Sequence, residues 1–130
     1  LGETVKRLLA AFADRLDAEG PAIALERRMM SPLCLILNEL ATNAAKHGAW
    51  HEPDGRVSLQ WRTDPAHARV DVEWRESGGP SVTPPGQFGF GHELMRGLVE
   101  HDLKGSIEWD FAASGLTCRI TFDEPRDCPA

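Results

Sequence analysis

The chain is poor in the features that fix a function class at a glance. Its three cysteines, Cys34, Cys118 and Cys128, are odd in number and widely separated, so they form neither a zinc pattern nor a disulfide framework. Five histidines (47, 51, 67, 92 and 101) show no ligand spacing either. No apolar run approaches the roughly 18 residues of a membrane span, and no signal peptide opens the chain. Basic residues are outnumbered, 14 Lys and Arg against 20 Asp and Glu, for a formal net charge of −6. That balance argues against a nucleic-acid surface, which needs clustered cations. What remains is an ordinary globular composition, 42% apolar and 26% charged. With 130 residues there is room for one core and not two. The expectation is a single domain over 1–130, with a core over 4–123, a polar tail over 124–130 and a cytoplasmic setting without direct membrane contact. Cys34 and Cys118 lie among apolar neighbours and read as packing residues.

Periodicity then orders the chain. Val5, Leu8, Leu9, Phe12 and Leu16 predict a helix over 4–18, ended by Gly20-Pro21. A short strand is expected at Ala22–Glu26. Ser31-Pro32 reads as the N-cap and first turn of a central helix that runs to Gly48. Two alternating strands follow, Arg56–Arg62 and Arg69–Glu76, after a turn at 50–55 in which Trp50 reads as surface. The segment 77–88 is too rich in Gly and Pro for regular structure. An amphipathic helix opens at Gly89-Phe90-Gly91 and carries Leu94, Met95, Leu98, Val99 and Leu103. A closing hairpin pairs Ser106–Phe111 with Leu116–Phe122. One apolar face per strand predicts an α/β two-layer sandwich: one mixed, mainly antiparallel sheet covered on one face by three helices.

Two places carry chemistry. On the central helix, Glu39, Thr42, Asn43 and Lys46 recur at steps of three and four, which stacks a carboxylate, a hydroxyl, a carboxamide and an ammonium over two turns. At the end of the second strand, Glu76 shares the parity of Val70, Val72 and Trp74, so its carboxylate points toward the helical layer and needs donors there. Gly78-Gly79 follow at once, and Gly89-Phe90-Gly91 opens a helix whose free N–H groups suit an anion.

In this order, Glu-x-x-x-Asn on a helix, an inward acid with glycines after a strand, and a Gly-x-Gly helix start, the chain resembles the GHKL superfamily (gyrase, Hsp90, histidine kinase, MutL), whose fold is the Bergerat-type ATP-binding fold. NELATNAAKHG (38–48), WRESGGP (74–80) and GFG-x-x-L-M (89–95) are similar to the HWE group of bacterial sensor histidine kinases, in which Trp-x-Glu replaces the usual Asp. The likeness spans residues 5–122.

The resemblance implies a catalytic domain that binds ATP and Mg²⁺. Asn43 would place its oxygen on the metal, and Lys46 would reach a phosphate. Glu39 would polarise the attacking group or orient the metal shell. Glu76 would accept the adenine amino proton, with Gly78 and Gly79 permitting base contact. Gly89, Phe90, Gly91 and Leu94 would wrap the phosphates behind a short lid over 80–88. Thr117 would support the acid, and His47 would lie beside the nucleotide where relatives carry Tyr; this chain has none.

The match departs at two points. Asn38 stands where the HWE group has His, and no histidine precedes His47 to accept a phosphoryl group. The chain alone is therefore expected not to autophosphorylate. The phosphoacceptor dimerisation hairpin would lie upstream, and the partners would be ATP or ADP, that hairpin and, through it, a response regulator. The alternatives are an anti-sigma-factor-type serine kinase, which shares NEL-x-T-NA-x-x-HG, or a degenerate module that docks in a phosphorelay without nucleotide.

Overall fold

The computed structural model describes residues 2–21, 27–64, 66, 68–78, 90–112 and 115–123. Five strands form one sheet in the order β1-β2-β3-β5-β4: β1 Leu16–Glu19, β2 Arg56–Asp64, β3 Arg69–Ser77, β4 Ser106–Ala112 and β5 Gly115–Asp123. Among the described residues only the β1–β2 pair is parallel. Helices α1 Gly2–Leu8, α2 Arg27–Lys46 and α3 Phe90–Gly97 supply the second layer. The expected two-layer sandwich is what forms.

The four long strands fold for the reason their sequence suggests. Alternation sends Val57, Leu59 and Trp61 of β2, and Val70, Val72 and Trp74 of β3, to one face. Register then sets Leu59 opposite Trp74 and Trp74 opposite Cys118, so three strands bring apolar side chains to the same level. Against this face α2 lays Leu33, Ile36, Leu37, Leu40 and Ala44, and α3 with its π-helical continuation Leu98–Asp102 lays Met95 and Val99. Each fully buried Leu, Ile or Val contributes about 1.5–3 kcal/mol. The opposite face is wet: Glu73 pairs with Arg75 at 2.7 Å and Arg119 at 3.3 Å, and Thr121 donates to Asp71 at 2.9 Å. Exposed pairs of this kind add little stability.

Three local expectations are corrected. The helix over 4–18 is broken: α1 ends at Leu8, a 3₁₀ helix covers Ala10–Arg15, and Leu16–Glu19 is strand. Leu16 and Ala18 fit a strand face as well as a helix face, and parallel pairing with Val57 and Leu59 decides the matter. The strand expected at Ala22–Glu26 lies outside the described residues, as do the loop over 80–88 and the tail over 124–130. Helix α2 starts at Arg27, so Ser31 is not its cap and Pro32 lies inside. The proline's missing N–H removes only the bond to the carbonyl of residue 28, near the helix start. Finally, Trp50 is buried rather than surface, at 5% exposure, because a 3₁₀ turn over Ala49–His51 tips it inward.

Candidate functional site

Glu76 is the buried charged side chain among the described residues, 4% exposed at the end of β3. Parity aims it at the helical layer, and there the backbone N–H of Ala49 donates to its Oε1 at 2.9 Å while the Trp74 indole N–H donates to Oε2 at 3.0 Å. Burial pushes its acid above the ordinary 4.5, and these two bonds pull the other way. Each carboxylate oxygen has two lone pairs, so one on each remains for a further donor.

The C-terminal end of α2 meets this carboxylate at Gly48 and Ala49. The backbone carbonyl of Asn43 accepts N–H bonds from His47 (2.8 Å) and Gly48 (3.0 Å), which closes the helix and turns the chain into the 3₁₀ segment that carries Ala49. Gly48 sits directly on the carboxylate: a Cβ there would lie 2.1 Å from Glu76 Oε1. Its φ of −113° lies outside the left-handed region, and the carboxylate is what an added side chain would meet first. Glu39 and Asn43 are half-buried one turn apart, whereas Lys46 and His47 are exposed. Thr42 shares their stripe, but its hydroxyl donates back to the Asn38 carbonyl at 2.8 Å and serves the helix.

The remaining candidates divide. Gly78 has a φ of +72°, a conformation that glycine adopts freely, and its backbone passes close to the Asp54 carbonyl. Phe90 and Gly91 open α3 as expected, and Leu94 on that helix is 37% exposed. Gly79 and Gly89 fall outside the described residues. Thr117 is not brought to Glu76. It pairs with Arg75, whose side chain is on the wet face, and the support expected from its hydroxyl comes instead from Trp74 and Ala49. Trp74 could have been found from the same parity that placed Glu76; Ala49 had no signal, since its role depends on the 3₁₀ turn.

A layer of contacts holds these donors in place. Trp50 meets Trp74 edge-on at 5.6 Å between ring centroids and donates its own indole N–H to the Arg15 carbonyl at 3.0 Å. The Arg15 guanidinium in turn donates to the carbonyls of Glu52 and Gly55. The first 3₁₀ helix is thereby tied to the loop that presents Ala49.

The Asn43 carboxamide suits a hard ion. It is a neutral oxygen donor, part exposed at the helix end, of the kind Mg²⁺ takes when phosphates supply its negative charge.

Comparison with known proteins bears on the family and the fold. No family model matches. Blue-light-activated histidine kinase 1 of Erythrobacter litoralis is 42% identical over 113 residues, which cover 85% of this chain and 31% of that protein. Among solved structures, the EL346 blue-light-activated histidine kinase of Erythrobacter litoralis superposes with a TM-score of 0.80 at 18% identity, over 95% of this chain and 42% of that one. The catalytic domain of ThkA, a histidine kinase also solved with the response regulator protein TrrA, gives 0.71 at 15% identity over 97% and 94%. The chain spans between a quarter and a third of the curated relatives it matches.

Proposed function

We propose that this chain, which belongs with the catalytic domains of the histidine kinases by sequence and by fold, binds Mg-ATP and presents its γ-phosphate to a histidine on a separate dimerisation domain. The observation that carries this reading is Glu76: a buried carboxylate, fixed by two N–H donors at the foot of α2, with lone pairs left to accept from a base. An ionised acceptor at that depth reads an amino group such as adenine's and rejects a carbonyl in its place.

The other roles are those the resemblance implies. Asn43 would hold the metal through its carboxamide, with Glu39 one turn earlier orienting the metal's water or the attacking group. Bound magnesium would neutralise phosphate charge, and Lys46, exposed at the end of α2, supplies a mobile cation to the same phosphates. His47 would lie beside the nucleotide, Gly78 and Gly79 beneath the base, and Gly89, Phe90, Gly91 and Leu94 around the phosphates. Thr117 takes no part in this reading. Trp74 and Glu76 together support placement in the HWE group. A response regulator, the kind of partner seen with ThkA, would be reached through the dimerisation domain. Among the described residues no helix is long and apolar enough to cross a membrane, and we infer a cytoplasmic setting.

The test is calorimetric titration with ATP and ADP, with and without Mg²⁺. Glu76→Ala is expected to abolish preference for adenine nucleotides, and Asn43→Ala to abolish the effect of magnesium. Unchanged binding in both variants would overturn the assignment.

A further inference from the structure

The two bonds to Glu76 differ in origin. Ala49 donates from a loop, but Trp74 donates from two residues back on the same strand. Neighbours of that kind stand side by side on one face, about 7 Å apart along the chain. A large ring with an N–H at its far edge and an acid with glutamate's extra methylene together close the gap; an aspartate arm would draw the carboxylate back from both donors. The indole is itself fully buried and packed edge-on by Trp50.

We propose that Trp74 is a positioning residue for nucleotide recognition, its indole N–H fixing the Glu76 carboxylate so that the outward lone pairs face the base amino group. This rests on the reading of Glu76 as the base acceptor and adds to it the reason a glutamate can serve there.

The electrostatics agree. Burial raises the Glu76 acid, and the bonds from Ala49 and Trp74 lower it. The titratable group facing it from β5 is the Cys118 thiol, pushed up to about 12 by burial and by the Glu76 charge, and therefore neutral. Among the described residues no basic side chain contributes to the Glu76 shift. Deleting the indole N–H leaves one bond to hold the charge.

The experiment is titration of the chain and of Trp74→Phe, Glu76→Gln and the double variant with ATP and GTP, from about pH 5 to pH 8. Trp74→Phe keeps the ring and is expected to bind ATP about tenfold more weakly at neutral pH. Its affinity should start to fall at a higher pH on acidification, and its preference for ATP over GTP should narrow. In the Glu76→Gln background the same change should cost less, because the amide keeps an acceptor oxygen on one side only and its NH2 cannot accept from the other donor. Trp74→Phe indistinguishable from the unaltered chain, or equally harmful in both backgrounds, overturns the proposal while leaving Glu76 its role. Glu76→Gln binding ATP like the unaltered chain removes that role and the proposal with it. Should Trp74→Phe not fold, the indole proton resonances of the unaltered chain decide: one must be slow to exchange, move with ATP and move in Glu76→Gln, and four that ignore both changes refute the bond.

Discussion

Gly48→Ala is the sharpest probe of how the site is built. The added methyl would lie 2.1 Å from Glu76 Oε1 and 3.0 Å from the Ala44 Cα, and φ at Gly48 is −113°, outside the left-handed region. The helix can yield a few tenths of an ångström, so the carboxylate must retreat by about 1 Å or more to reach an ordinary separation. That retreat breaks the 2.9 Å bond from Ala49. A bond to a buried charge contributes about 1.5–3 kcal/mol, and overpacking costs about 1–3 kcal/mol more. A loss near 3 kcal/mol follows; with about 2.1 cal/mol/K of unfolding entropy per residue, it lowers Tm by about 10 °C. Scanning calorimetry measures the shift, and ATP titration should show affinity lost with it. Gly97→Ala is the control, since nothing lies within 4 Å of a Cβ there and its backbone is helical; it should gain about 0.5–1 kcal/mol. In Glu76→Ala the carboxylate is gone, and Gly48→Ala should then cost less than about 1 kcal/mol. A Gly48→Ala melt within about 2 °C of the unaltered chain, or costs that simply add in the double variant, would refute the geometry.

Three further outcomes are expected. Asn43→Ala should fold as well as the unaltered chain, since Ala is the better helix former, yet bind ATP equally with and without Mg²⁺; a retained magnesium effect would clear Asn43 of metal binding. Trp50→Ala should cost about 3–5 kcal/mol in denaturant unfolding, because Trp50 packs on Trp74 and ties the first 3₁₀ helix to the loop; a loss under about 1 kcal/mol would show that the pair carries no load. The Glu76 acid lies higher folded than its ordinary 4.5, so the folded chain holds the proton more tightly than the unfolded one. Its contribution is full below 4.5 and disappears as pH rises through the folded value. The stability of the unaltered chain relative to Glu76→Gln should therefore decline across that window and then level off, whereas a rise with pH would mean that the carboxylate is better stabilised folded than unfolded.

Legibility in the sequence followed the range of the forces involved. Strands β2 to β5 could be read because Val70, Val72, Trp74 and their counterparts alternate without ambiguity. Strand β1 could not, since Leu16 and Ala18 satisfy two periods and only their partners in β2 break the tie. Ser31-Pro32 is a sound local signal for a helix start, but α2 runs on upstream to Arg27, burying Met29 on the way, and a proline this near a helix start removes one bond. At the site, parity was enough to turn Glu76 inward and to set Thr117 on the other face, which made its supporting role hard to sustain. Parity also set Trp74 beside Glu76, so that bond was available to anyone who asked what the acid's nearest same-face neighbour could donate. The Ala49 bond was not available. It spans 27 residues and depends on a turn whose direction comes from Trp50 finding Trp74 and from Arg15 gripping the loop beyond. A buried carboxylate states its need for donors in the local pattern; which distant backbone N–H answers is decided by packing, and packing is where reading one strand at a time stops.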